Sequence, residues 1–173
     1  MYVLAAAAGL GLSDCERILG TTLAQPVLAV TSLAYVAAGV AVLCWSLRGR
    51  GVLASVVGLV LVAVGLGSFA FHGPQPSWAG PAHDWPILAL GAVLVVGLSV
   101  SVRDQWRLWT AAAGIFALAL LVYAAGRAGS PLCRPDSLWQ FHGAWHVLTA
   151  VAAGCAAVAI GRRRGFATTI RHQ

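Results

Sequence analysis

His142 and His146 stand four residues apart in WQFHGAWHVLTA, a stretch without a charged residue. On a helix that spacing turns both imidazoles to one face, where they can grip a single metal ion. A third histidine, His72, ends another apolar stretch, with Ser68 one helical turn before it. Three neutral imidazoles and an open fourth position form the ligand set of hydrolytic zinc sites, where the metal lowers the pKa of a bound water towards about 7. Asp84 is the acidic residue expected at the same depth, placed to accept the proton of that water and deliver it to a leaving amine. The Ser68 hydroxyl could donate to the water or to a developing oxyanion. The chemistry implied is metal-assisted hydrolysis of a carbonyl compound. Duller readings stand beside it. An HxxxH pair alone is more often interfacial or hydrogen-bonded than metal-bound, and Ser68, after Gly65 and Gly67, could serve close helix packing. Convergence of all these residues is what favours a metal. His83 could be a fourth ligand or a hydrogen-bond partner of Asp84, but after a Gly- and Pro-rich run it is read as an exposed loop residue.

That convergence needs elements to produce it, and composition says what they are. The chain has 173 residues, 60% hydrophobic and 9% charged, with a mean hydropathy of +0.83, against the roughly 25% charged residues of soluble domains. The expectation is an all-α integral membrane bundle, one domain over 1–173. Five spans of about 20 residues are predicted near 24–47, 52–71, 85–102, 108–126 and 138–161. None holds Asp, Glu, Lys or Arg. The outer N-terminal segment, 1–23, begins with a dozen apolar residues too short to span, expected as a helix along the surface. Residues 162–173 form a basic tail.

All eleven basic residues are arginine, and eight gather at alternate boundaries: Arg48, Arg50, Arg103, Arg107, Arg162, Arg163, Arg164 and Arg171. The positive-inside rule puts those boundaries in the cytoplasm, so the N-terminus is expected outside and the C-terminus inside. The net charge of +6 then belongs to topology and anionic headgroups, and no nucleic-acid module is present in the sequence. Ser68, His72, Asp84, His142 and His146 all fall at the outer ends of their spans. Six tryptophans, Trp45, Trp78, Trp85, Trp106, Trp109 and Trp139, lie near span ends, as interfacial indoles do. Gly51, Gly58 and Gly65 recur every seven residues, a stripe for close helix approach that also leaves room for a homo-oligomer. Cys44 and Cys155 read as small buried apolar residues. Cys15 and Cys133 are both outside, where a disulfide between them is permitted; two free interfacial thiols are the alternative.

Together SDCERI at 13–18, QPVLAVTSLAYVAAG at 25–39, GSFAFH at 67–72, HDWP at 83–86 and CRPDSLWQFHGAWHVLTA at 133–150 resemble the alkaline ceramidase family, within the superfamily of seven-span membrane hydrolases and adiponectin-type receptors. The resemblance covers most of the first three spans and the last. It implies a zinc-dependent amidase with His72, His142 and His146 as ligands, Asp84 positioning and deprotonating the water, Ser68 aiding the oxyanion, and a Cys15–Cys133 bridge. The chain departs from the family in having five spans for seven, with one helix instead of three between the Asp84 and His142 helices and so fewer walls for a lipid pocket. Eukaryotic members also carry an N-terminal calcium site of several acidic and amide groups. Only Asp14 and Glu16 stand in that region here, a weak calcium site at most.

The expected activity is therefore hydrolysis of the amide in a ceramide-like or other N-acyl lipid, in the plasma membrane of a bacterium with the site near the outer leaflet. Two other classes compete: a haem-binding electron-transfer protein using His72 and one of the later pair, and a receptor-like protein that keeps zinc without turnover.

Overall fold

The computed structural model describes residues 10–162. They form five helices: α1 (Pro26–Ser46), α2 (Val52–His72), α3 (Ala79–Ser101), α4 (Trp106–Ala125) and α5 (Phe141–Gly161). All five are long and apolar enough to cross a membrane, in agreement with the five expected spans and consistent with an integral membrane protein. The described residues contain no strand, only an isolated bridge between Asp14 and Arg127. Most of the expected surface helix at 1–12, and Arg163, Arg164 and Arg171 of the tail, lie outside the described residues.

Two helices start three or more residues from where they are expected. The Pro-rich run before 85 reads as loop, yet α3 begins at Ala79. Pro81 sits in the first turn, where its missing N–H would have had no partner anyway, so the helix accepts it. His83 and Asp84 consequently ride on a helix. Conversely, α5 begins at Phe141, after the side-chain amide of Gln140 donates to the carbonyls of Arg134 and Ser137 and closes the preceding turn.

The centre of the bundle is α5, which packs against all four other helices, and α2 meets three of them. Lipid tails are as apolar as the side chains, so close van der Waals approach must hold helices together in a membrane. The core accordingly joins Ala150, Ala153 and Ala157 of α5 to Val57, Leu61 and Val64 of α2. Two glycines of the stripe serve the α1–α2 contact: a Cβ on Gly58 would lie 3.0 Å from the Gly39 carbonyl oxygen, and one on Gly65 2.8 Å from the Val36 amide nitrogen. Gly51 has nothing within 4 Å and instead precedes α2 with a φ of 94°. Two of the three stripe positions are thus taken by α1 of the same chain.

Helices α3 and α4 behave differently. They share a short loop, beside which the Trp109 indole N–H donates to Ser101 Oγ, but they do not pack along their lengths. Val95, Val96, Phe116, Leu120 and Leu121 are exposed on them, as lipid-facing side chains are. Trp78, Trp85, Trp106 and Trp139 are exposed as expected of interfacial indoles, whereas Trp45 and Trp109 pack against the core. Cys44, expected to be buried, is exposed on α1, and Cys155 is half-buried.

Candidate metal centre

At one end of the bundle α2 and α4 finish while α1, α3 and α5 begin, and the described N-terminal segment folds over them. His72 closes α2; His142 and His146 occupy the first two turns of α5. All three side chains are buried, and one potential ligand atom from each lies within 4.8 Å of the others. The helical spacing produces half of this arrangement, and the α2–α5 contact produces the rest. Together they can hold a metal ion.

The donor set passes a chemical test. The His72 Nδ1–H donates to Gln25 Oε1 at 2.8 Å, which leaves Nε2 buried without any partner. A buried imidazole nitrogen without a protein hydrogen bond has lost hydration without compensation, and its lone pair is available to an ion. His146 Nδ1 lies 3.1 Å from Thr31 Oγ1, whose hydroxyl is within reach of the Val27 and Leu28 carbonyls. Second contacts of this kind fix the orientation of metal-binding imidazoles.

Asp14 stands behind His142. Its Oδ1 is 3.0 Å from His142 Nδ1 and 3.1 Å from Arg127 Nη1, and its Oδ2 is 3.9 Å from His72 Nδ1. The approach to His142 is close but off the line of a directed hydrogen bond, since that nitrogen has no hydrogen-bond partner. Burial works to raise the Asp14 pKa. Contact with His142 and the nearness of His72 and the Arg127 guanidinium outweigh it and hold the carboxyl below its ordinary value. Glu16 acts elsewhere, as the cap of α1, where its two oxygens accept the Val27 and Leu28 N–H groups at 2.8 Å each. Burial raises its pKa against those two bonds. Asp14 and Glu16, a weak calcium site at most by sequence, are thus engaged by protein donors on different elements.

A cavity of about 250 Å³ adjoins the histidines. Ser68, expected there, lines it and is buried. Asp84 does not: its side chain is 72% exposed, with Oδ1 bonded to His83 Nδ1 at 2.7 Å. A helical turn explains the exchange, because the early start of α3 turns His83 inward and its neighbour outward. His83, expected to be exposed, lines the cavity and stacks on Phe71 with ring centroids 4.4 Å apart. Tyr35, Tyr123 and Trp145 complete much of the wall. The Cys15–Cys133 disulfide is present, with Cα atoms 5.4 Å apart, so the free-thiol alternative does not hold.

Sequence reasoning missed Asp14, Gln25, Thr31 and Arg127 as parts of this site. Gln25 alone carried a signal, as a polar residue directly before a proline-started apolar helix. No protein-family model matches this chain, and no curated protein or solved structure matches it significantly.

Proposed function

We propose that this protein is a zinc-dependent hydrolase that cleaves the amide bond of a ceramide-like or other N-acyl lipid within a bacterial plasma membrane, at the outer leaflet. The observation that carries the reading is the burial of His72, His142 and His146 around one point in an otherwise apolar bundle. His72, His142 and His146 would hold the zinc, which when bound would polarise a carbonyl and acidify water, the chemistry amide hydrolysis needs. The likeness of the sequence to the alkaline ceramidases supports the substrate class.

The chain's own groups divide the remaining work. The Ser68 hydroxyl, in the cavity wall, donates to the carbonyl oxygen as negative charge develops on it. The water oxygen bonds to the carbonyl carbon, the carbon–nitrogen bond breaks, and a proton from the water must reach the departing amine. His83 carries it: the ring lines the cavity, with Nδ1 held by Asp84. Asp84, expected to move the proton itself, acts as the positioning residue for His83. Helices α3 and α4 lend wall residues, Ile87 beside His83 on the first and Tyr123 on the second, without closing on one another. A lipid reaches the site between them from the bilayer.

Three imidazoles converging on one point favour a compact ion over haem, whose iron takes axial ligands from opposite faces of a flat ring. Activity is tested with detergent-purified protein and a panel of N-acyl lipids, following release of fatty acid. Hydrolysis abolished by a chelator and restored by zinc supports the reading. Stoichiometric zinc with no turnover of any N-acyl lipid rejects it in favour of a receptor-like protein.

A further inference from the structure

We propose that Asp14, on the irregular segment before α1, is the positioning carboxylate for the ligand His142. The inference rests on the metal reading of the three histidines but not on the hydrolytic one. Of the chain's five acidic residues, Asp14 alone lines the cavity. Its side chain is only 4% exposed, and its Oδ1 is 3.0 Å from His142 Nδ1.

The three rings differ in what backs them. His72 and His146 each have an oxygen partner on Nδ1, from Gln25 and Thr31 of the first helix and its cap. His142 Nδ1 is buried with no hydrogen bond, and Asp14 is the oxygen within reach. Metal-binding histidines almost always set the second ring nitrogen against a carboxylate, carbonyl or water, which fixes the tautomer and raises the basicity of the ligand nitrogen. A small rotation of either side chain completes that contact when a metal draws on the other face of the ring.

The position of Asp14 is anchored on both sides. Cys15, the next residue, is bonded to Cys133, and its N–H donates to the Gly126 carbonyl at 2.9 Å. The Ala128 N–H donates to the Ser13 carbonyl at 2.9 Å. Arg127, between those two partners, bonds the same Asp14 oxygen from its other side at 3.1 Å. The N-terminal segment is thereby fixed to the α4–α5 connection in a way that delivers one carboxylate to the centre. On this account the disulfide serves the metal site through its neighbour.

The test is zinc affinity, measured by competition with a chelator on full-length detergent-purified protein, using zinc alone as the probe. Asp14→Asn keeps the shape and removes the charge; it is expected to bind zinc about 10- to 100-fold more weakly. Asp14→Glu, which keeps the charge on a longer arm, is expected to fall between that variant and the wild type. Asp136→Asn, breaking the exposed pair of Asp136 with Arg17 on the same segment, is expected to bind as the wild type does. Cobalt in place of zinc adds a readout that simple destabilisation does not move, a shifted visible band in Asp14→Asn at full loading. Wild-type affinity in both Asp14 variants overturns the proposal and leaves the metal site standing. An equal loss in Asp136→Asn also overturns it, since the segment's fold would then be the cause. Absence of zinc binding in the wild type overturns the metal reading itself.

Discussion

Ser68 lines the cavity without being one of the three converging histidines, so its role separates cleanly from metal binding. Ser68→Ala is expected to lower kcat by about 10²-fold, in the range found for single oxyanion donors, with zinc content unchanged. Steady-state hydrolysis beside metal analysis checks both halves. Gln25→Leu is expected to do the reverse, weakening zinc binding about 10-fold or more by freeing His72 Nδ1, as read by chelator competition. The pairing of His142 with His146 was legible in the sequence because an i, i+4 pair needs only a helix to face one way. Asp14 was not, since its approach depends on a segment without periodicity and on a bridge across 118 residues. The exchange of Asp84 for His83 turned on a helix start six residues earlier than Pro81 and Pro86 suggested.

Helix crossings set how well those residues are held, and glycine marks where they are closest. A Cβ on Gly67 of α2 would run into the Ala82 carbonyl of α3, whereas one on Gly114 of α4 would meet nothing within 4 Å. Gly67→Ala is therefore expected to lower the thermal midpoint in detergent, with a cost of about 1–3 kcal/mol typical of overpacking. Gly114→Ala is expected to leave it unchanged or raise it slightly. The open side between α3 and α4 makes a kinetic prediction: Ile87→Trp, in the cavity wall, is expected to raise KM for long-chain substrates more than for short ones. Equal effects on both would count against entry from the bilayer. Span number and most boundaries were legible from runs of uncharged residues, but partner choice was not. The Gly51–Gly58–Gly65 spacing signalled packing without saying that α1 would take two of the three positions.

At the scale of the whole molecule, five apolar helices and a covering N-terminal segment enclose one polar end. The covering is cross-linked by Cys15–Cys133, and its loss in Cys133→Ser is expected to cost about 2–4 kcal/mol of stability. Reduced zinc retention should accompany it, measured after dialysis against chelator. All-helical architecture was readable from composition and five uninterrupted apolar runs together, because few charges point to a membrane and runs of about 20 residues to helical spans. The site's full inventory needed the long-range contacts among α2, α5 and the N-terminal segment. The central claim is that these contacts build a metal centre, and the direct test is zinc per chain by mass spectrometry on the purified wild type beside His72→Ala, His142→Ala and His146→Ala. About one zinc in the wild type and a small fraction of that in each variant is the result this account expects. No zinc in the wild type, or equal zinc in all four proteins, would contradict it.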